Sequence, residues 1–200
     1  TMVDNPANEH VYDVLIVGGG AAGVGVGIAL MHAGIENFVV LERHMIGASF
    51  ALWPAEMRFI TPSFATNAVG MLDLNSIAIG VSPAYSLEVE HPTGAQYSAH
   101  LESVAEYFEL PVHEDINVKG ITHVDGLFHL DANNPDFEDR PYRAKHVIWA
   151  AGEFQYPRRD GFVGSEYCRH TATIPDYKSL EGDDFIIIGG YESGVDAAYH

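Results

Sequence analysis

The stretch that decides the fold is residues 12–42, YDVLIVGGGAAGVGVGIALMHAGIENFVVLE. It starts with an apolar run, passes through consecutive glycines into a segment that favours a helix, and ends in a second apolar run closed by Glu42. This order predicts a strand, a glycine turn, a helix and a second strand. We therefore predict a βαβ unit of the kind that binds dinucleotides.

Three glycines have separate roles in this prediction. Gly18 allows a sharp turn out of the strand, Gly20 lets backbone amides approach a pyrophosphate, and Gly23 lets the helix pack close to the sheet. The pyrophosphate would lie at the N-terminus of the helix that starts near Ala21, where the helix dipole favours negative charge. Glycines also accumulate in ordinary turns, so the interpretation depends on the flanking strand and helix.

Glu42 follows Gly23 by 19 residues and ends the second apolar run. A carboxylate at this place accepts hydrogen bonds from the hydroxyls of an adenosine ribose and would repel a 2′-phosphate. FAD or NAD therefore fits the first site better than NADP.

A second glycine turn follows near the C-terminus, in residues 184–200, DFIIIGGYESGVDAAYH. It predicts another strand, turn and helix start, with Gly189 and Gly194 as the outer glycines. Tyr191 stands where the middle glycine is expected. Either this side chain crowds the pyrophosphate and the repeat has decayed, or Ser193 and the helix-start amides still bind phosphate.

We predict two domains and the N-terminal portion of a longer protein. Residues 1–181 would form the first domain, incomplete without a further C-terminal segment, and residues 182–200 the start of a second domain that holds the nicotinamide nucleotide. The second ribose-recognising residue lies beyond this sequence, so NADH and NADPH both stay open.

The fold class that we predict is α/β: a central, mostly parallel sheet with helices on one face and an antiparallel β-ribbon on the other. Residues 43–97 are rich in Pro, Ser, Gly and aromatics and indicate loops and short helices over a site. We expect the last strand to be buried on both faces because it is continuously apolar. The remaining predicted elements are a helix at Tyr97–Leu110, strands at Asn117–Val124, Leu127–Asp131 and Tyr142–Ala150, and a turn at DANNPD.

Composition excludes several classes of protein. The net charge of −18 makes nucleic acid an unsuitable partner and indicates a solvated acidic surface, which would also suit a high-salt cytoplasm. No apolar run is long enough to cross a membrane, and TMVDNPANEH does not resemble a signal peptide, so we expect a cytoplasmic protein. Cys168 is the one cysteine, which leaves no internal disulfide or redox pair in this span, and no metal-ligand pattern stands out.

Five stretches together resemble the two-dinucleotide-binding-domain flavoproteins, and more closely the bacterial flavin-containing monooxygenases. They are GGGAAG with Glu42, IGASFALWP with Trp53, ITPSFATN, AAGEFQYPR and GGYESGVDAA. In this group the first glycine turn binds FAD and the second binds NAD(P)H. AAG at residues 150–152 resembles the family's ATG, which passes close to the flavin.

The resemblance also implies roles for single residues. Asn67 matches an asparagine near the flavin that helps to stabilise a flavin hydroperoxide, although it is equally a turn-forming residue. Trp53 and Tyr97 would line the flavin region, or simply pack in a core. Phe162, Gly164 and His170 resemble the monooxygenase fingerprint, but the histidine comes two residues late and fits a surface or capping role as well.

The candidate catalytic residue is therefore Asn67. The candidate cofactor residues are Gly18, Gly20, Ala21, Ala22, Gly23, Glu42, Arg43, Trp53, Ala151, Gly152, Gly189, Ser193 and Gly194.

Three functions stay open at this point. The first is an FAD- and NAD(P)H-dependent monooxygenase that oxygenates a small molecule through a flavin hydroperoxide, with O2 as co-substrate. The second is a flavin-dependent reductase or oxidase acting on a small disulfide, quinone or protein without a redox cysteine pair. The third is a nucleotide-sensing protein that keeps the fold without turnover. We expect no nucleic-acid or membrane partner, and a homodimer is the candidate assembly.

Overall fold

The computed structural model describes residues 10–71, 73–133, 142–153 and 155–200. The strands are β1 (Tyr12–Val17), β2 (Phe38–Leu41), β3 (Val112–His113), β4 (Asn117–Val124), β5 (Leu127–Asn133) and β6 (Tyr142–Trp149). The α-helices are α1 (Ala21–His32), α2 (Ala48–Ala51), α3 (Pro83–Ser86), α4 (Gly94–Tyr107) and α5 (Glu192–Tyr199). Short 3-10 helices cover Ala65–Val69, Ser165–Tyr167, Thr171–Thr173 and Tyr177–Ser179.

The chain divides into two compact units. The first comprises Thr1–Ala48 and Leu101–Gly152, and the second comprises Ser49–His100 and Glu153–His200. The first unit contains the sheet. The expected division near residue 181 into a flavin domain and a nicotinamide domain stays a prediction.

The six strands form one sheet in the order β3-β2-β1-β6-β5-β4. The first four strands in this order are parallel, and β5 runs antiparallel to both β6 and β4. β1 pairs with β2 from Val14↔Phe38 to Val17↔Leu41, so both strands end at the same edge. The predicted α/β class, with a parallel centre and an antiparallel ribbon, is confirmed.

The two faces of the central strands are covered differently. On one face, Leu15 and Leu41 are buried with Leu130 of the ribbon in a single apolar cluster. On the other face lies α1, where a methyl added at Gly27 would come within 3.5 Å of the Phe38 ring. Each fully buried leucine contributes about 2 kcal/mol by leaving water. A helix on one face of the parallel strands agrees with our prediction, and the antiparallel ribbon continues the same sheet beyond β6.

Helix α4 begins and ends three residues earlier than predicted. Thr93 and Gln96 form a capping box: the Thr93 side chain accepts from the Gln96 amide at 3.2 Å, and the Gln96 side chain accepts from the Thr93 amide at 2.9 Å. At the other end Glu109 takes a left-handed φ of 52°, and Leu110 N–H donates to Ala105 O at 3.0 Å. Local capping hydrogen bonds, and not the spacing of the apolar residues, therefore determine where α4 begins and ends.

The later strands also differ in detail from the predictions. β4 has the predicted bounds, β5 extends through residue 133, and the two-residue β3 was not predicted. The expectation that the last strand is buried on both faces is wrong, because Trp149 is 60% exposed and His146 is exposed. The reason is position: α1 packs on β1 and β2, whereas β6 lies on the far side of β1. Residues 134–136 of the predicted DANNPD turn lie outside the described residues, and residues 131–133 belong to β5.

The strand predicted before the second glycine turn is absent. Residues 184–190 have no strand pairing, and Ile186 and Ile188 are 92% and 62% exposed. A strand exists only with a hydrogen-bonded neighbour, and the described part of the chain supplies none to this segment. An apolar sequence was therefore not enough to make residues 184–190 a strand.

Of the helices that are described, none combines the length and apolar character needed to cross a bilayer.

Candidate functional site

The candidate site in the first unit is built around the glycine turn between β1 and α1. Gly18 has a φ of 110°, which favours glycine, and its N–H donates to Leu41 O at 2.8 Å. A methyl added at Gly18 would overlap the Ala150 carbonyl, with the carbonyl carbon at 2.7 Å and Ala151 Cα at 2.9 Å. The turn therefore depends on glycine because residues 150–151 cross directly over it.

Gly20 and Gly23 differ in what surrounds them. Gly20 is the N-cap of α1, has extended backbone (φ −81°, ψ −168°) and makes no side-chain cap. A methyl added at Gly20 would meet nothing within 4 Å, whereas one added at Gly23 would overlap Gly18 O. The absence of a side chain at Gly23 thus lets the helix pack closely against the turn. Gly20 leaves open space in front of the helix N-terminus, beside Ala21 and Ala22, as a bound pyrophosphate would need.

Glu42 follows β2 and hydrogen-bonds to the same turn. Its Oε2 accepts from Gly19 N–H at 2.6 Å, and its Oε1 accepts from His44 N–H at 2.9 Å. Gly47 N–H also donates to Gly19 O at 3.0 Å. Since a carboxylate offers about four acceptor positions, Glu42 can brace the turn and still accept from a ribose. The turn is thus held in shape by the protein itself.

The segment that contains Ala151 and Gly152 is attached to the end of β1. Ala150 N–H donates to Val17 O at 2.8 Å, which continues the β1–β6 ladder. Gly152 has a φ of 74°, and a methyl added there would meet nothing within 4 Å. Arg43 lies half-buried in the loop that follows Glu42. The structure thus brings the first-turn residues, Glu42, Arg43, Ala151 and Gly152 into one unit, although their binding roles stay predictions.

The second glycine turn repeats the local geometry of the first inside the second unit. Gly189 has a φ of 112°, and a methyl added at Gly194 would overlap Gly189 O. Tyr191 takes the N-cap position with extended backbone (φ −92°, ψ −174°) and is 82% exposed. Ser193 is exposed in the first turn of α5. The predicted turn is therefore present without the predicted strand.

Trp53 lies in an aromatic cluster of the second unit. Its ring is 5.4 Å from Phe50 and 5.1 Å from Phe59, and Phe59 is 4.5 Å from Tyr97 between centroids. Tyr97 is 2% exposed and donates its hydroxyl to Asn75 O at 2.8 Å. Burial and the charge of Asp73 raise the pKa of Tyr97 to about 12, so the hydroxyl stays a donor. Both aromatic residues pack within this cluster, and the expected place of Trp53 beside the flavin stays a prediction.

Asn67 and His170 complete the predicted set. The backbone of Asn67 belongs to the 3-10 helix Ala65–Val69, and its side chain lies outside the described structure. His170 caps the 3-10 helix that follows it, since its Nδ1 accepts from Ala172 N–H at 3.1 Å. The capping role, one of the two alternatives for this histidine, is the one observed.

Sequence reasoning missed a buried polar network in the second unit. Its members share low exposure and side chains that bond to each other or to loop backbone: Ser63, Asp73, Asn75 and Ser82. The one available signal was local: Asp and Asn two residues apart in a loop, a pairing typical of turns whose side chains bond backbone. That signal does not reveal burial.

The comparisons with known proteins agree with this geometry. The pyridine nucleotide-disulphide oxidoreductase family matches residues 15–200. The chain belongs to that family. It is similar to an uncharacterized CzcO-like oxidoreductase of Geobacillus kaustophilus, at 27% identity over 95% of this chain and 51% of the relative. The chain thus spans about half the length of this curated relative.

Solved structures show the same fold. Bacillithiol disulfide reductase Bdr from Bacillus cereus superposes with a TM-score of 0.64 at 22% identity, covering 78% of this chain and 44% of that one. A flavin-containing monooxygenase from Stenotrophomonas maltophilia gives a TM-score of 0.55 at 23% identity, covering 72% of this chain and 39% of that one. These likenesses support the Rossmann-type fold that we predicted.

Proposed function

We propose that the protein is an FAD-dependent oxidoreductase that takes electrons from NADH or NADPH and oxygenates a small molecule with O2. The observation that carries this proposal is the first glycine turn. Open space lies at Gly20 in front of an uncapped helix N-terminus, and a carboxylate, Glu42, is hydrogen-bonded to the adjacent Gly19. Anion-binding amides beside a ribose acceptor are what an adenine dinucleotide requires.

Each residue of the first unit has a distinct part in binding. The amides of Gly20, Ala21 and Ala22 would bind the pyrophosphate, and the carboxylate of Glu42 would accept from ribose hydroxyls. Ala151 and Gly152 would pass beside the cofactor with their backbone, and Arg43 would flank the ribose. FAD, when bound, supplies hydride acceptance and oxygen activation, chemistry that no protein side chain provides.

Residues of the second unit would serve the nicotinamide nucleotide and the reaction. Gly189, Ser193 and Gly194 would bind the nicotinamide dinucleotide at the N-terminus of α5. Asn67 would donate a hydrogen bond to the reacting oxygen, and Trp53 would support the flavin-binding region. A homodimer and a cytoplasmic location belong to the same proposal.

A second candidate is a reductase or oxidase that passes electrons to a small disulfide or a quinone. It is favoured by the likeness to bacillithiol disulfide reductase. The sequence carries one cysteine, Cys168, which is exposed. A dithiol relay within these 200 residues is therefore excluded, and electrons would pass directly from flavin to the acceptor.

The test is an absorbance spectrum of the purified protein, before and after NADH or NADPH, without and then with O2. Flavin bands that bleach with nicotinamide, together with an oxygenated product formed in proportion to O2 consumed, are the expected result. Bleaching with turnover of a disulfide or quinone and no oxygenated product would favour the second candidate. Bound flavin that no nicotinamide reduces would indicate a nucleotide sensor. A protein without flavin would overturn the proposal.

A further inference from the structure

Residues 59–87, all in the second unit, carry almost no charge. Asp73 is the single charged residue of this stretch, although Asp, Glu, Lys and Arg make up 19% of the chain. It is 7% exposed, and its carboxylate accepts from Asn75 N–H at 2.9 Å and from Ser82 Oγ at 2.5 Å. Within a chain whose net charge is −18, this stretch therefore offers solvent an uncharged surface.

The polar side chains of this stretch lie inside and large apolar side chains lie outside. Ser63, Asp73 and Asn75 are buried, whereas their sequence neighbours Phe64 and Leu74 are 50% and 88% exposed. Exposed large apolar side chains that occur together mark an interaction site. Six of them form what we name the apolar surface: Phe64, Val69, Met71, Leu74, Ile79 and Tyr85.

Hydrogen bonds bring the segments that carry the apolar surface together. Phe64 N–H donates to Asp73 Oδ2 at 3.3 Å, which places Phe64 beside the segment that carries Leu74. Tyr85 donates its hydroxyl to Ala65 O at 2.8 Å, at the residue that follows Phe64. Three segments distant in sequence thus present apolar side chains from neighbouring places.

Two further members lie in tight local structure. Met71 N–H donates to Thr66 O at 3.2 Å, which places Met71 beside the 3-10 helix that ends at Val69. Ile79 lies in a turn at residues 78–81, directly before the buried start of α3. The apolar side chains are therefore mounted on a hydrogen-bonded frame and do not belong to one loose loop.

We propose that the apolar surface is the contact of a homodimer. A second copy of the chain would present the same surface to it about a twofold axis. This inference rests on the homodimer that belongs to the proposed function, and it does not depend on the flavin chemistry.

The area of the apolar surface suits this partner. An aromatic side chain carries about 150–250 Å² of surface, so six large side chains that are 48–88% exposed offer on the order of 700 Å². Each partner of a stable complex buries about 800 Å². Backbone between these side chains supplies the remainder.

Charge also favours a second copy. Two chains that each carry a net charge of −18 repel one another, and the repulsion is smallest where neither presents a charge. A basic partner would find no exposed carboxylate on the apolar surface to pair with. Pairing at this surface leaves the acidic residues of both copies in solvent.

The experiment measures the dimer dissociation constant of the purified full-length protein by analytical ultracentrifugation. Leu74→Glu places a charge on the apolar surface of both copies and should raise the dissociation constant at least 100-fold. Val163→Glu is the matched control, because Val163 is fully exposed, lies outside residues 59–87 and gains the same charge. It should change the dissociation constant less than twofold. Ile79→Glu, at a residue that is 70% exposed, repeats the test if Leu74→Glu alters thermal unfolding.

Salt gives an independent readout. Raising NaCl from about 0.05 M to about 0.5 M screens the repulsion between the two acidic chains and should tighten the dimer several-fold. A dimer that weakens as salt is added would be held by ion pairs, which the apolar surface does not contain, and would overturn the inference.

Three other outcomes would also overturn it. The first is a dimer that neither Leu74→Glu nor Ile79→Glu weakens. The second is a monomer that sediments with phosphatidylcholine vesicles and loses this binding in Leu74→Glu, which would assign the surface to a bilayer. The third is a monomer whose amides at residues 59–87 are protected from hydrogen exchange, which would show that the full-length protein covers the surface itself.

Flavin absorbance of the same samples separates this inference from the proposed chemistry. A dimer without flavin would keep the apolar surface as the contact and remove the oxidoreductase. A flavin-containing monomer would do the reverse.

Discussion

The two glycine turns of this chain have nearly the same local geometry in different surroundings. Gly18 and Gly189 have φ values of 110° and 112°. A methyl added at Gly23 would lie 3.6 Å from the side chain of Ile16, and one added at Gly194 would lie 3.7 Å from the side chain of Ile187. The first turn follows a strand buried in a sheet, whereas the second follows an exposed segment with no strand. Turn geometry is therefore local, and strand formation is not.

Crowding differs between the turns as well. A methyl at Gly18 would overlap Ala150, whereas one at Gly189 would meet nothing within 4 Å. Gly18 is thus required by its φ and by its neighbours, and Gly189 by its φ alone.

The largest expected effect tests that difference. Gly18→Ala should lower the free energy of unfolding by about 3 kcal/mol, from left-handed strain and overpacking together. Gly189→Ala should cost about 1 kcal/mol, from strain alone. Urea unfolding of both variants measures the two values. Equal losses would mean that the Ala150 contact does not distinguish the turns.

The acid after the first turn gives the next effect. Glu42→Ala should weaken FAD binding by about 1–3 kcal/mol, because ribose hydroxyls and the Gly19 amide lose their acceptor. The measurement is flavin released on dilution, with exposed Glu36→Ala as control. Full flavin retention in Glu42→Ala would show that the brace to Gly19 is purely structural.

The middle glycine of the first turn, Gly20, is replaced by Tyr191 in the second turn. Gly20→Ala should leave stability unchanged, since the added methyl meets nothing within 4 Å, and should weaken FAD binding about tenfold, or about 1.4 kcal/mol. Tyr191→Gly should strengthen NAD(P)H binding by a similar factor. Titration calorimetry measures both affinities, and Gly120→Ala, equally free of neighbours, is the control. A Tyr191→Gly protein with unchanged nicotinamide affinity would argue that the tyrosine does not crowd the ligand.

The smallest effect concerns the helices. Helix α1 contains no acidic residue, whereas α5 contains Asp196. Burial raises the pKa of Asp196, and the charge of His200 lowers it by a smaller amount. Because the pKa of Asp196 in the folded protein lies above its ordinary value of 3.8, this carboxyl stabilises the fold fully below pH 3.8. That stabilisation is lost as the pH rises through the raised pKa. Asp196→Asn should therefore stabilise the protein at pH 7 by about 0.5 kcal/mol and by less as the pH falls. Thermal unfolding from pH 3 to 7, with exposed Asp183→Asn as control, tests this; a gain that is independent of pH would contradict it.

Several elements were predictable because their signals are local. The first turn follows from the glycines and Glu42, and the bounds of β4 match the prediction. The ends of α4 were missed because the capping box at Thr93 and Gln96 outweighs the apolar period. The exposure of Trp149 was missed because it depends on which strands α1 covers.

The sequence by itself determined the α/β class, both glycine turns and the family, because glycine conformations and apolar runs act over a few residues. Only the tertiary structure decided that residues 184–190 form no strand and that Asp73 is buried. It also decided that Glu42 braces Gly19 across 23 positions of chain. Each of these depends on a partner distant in sequence, and a pattern of residue types carries no record of which distant groups meet.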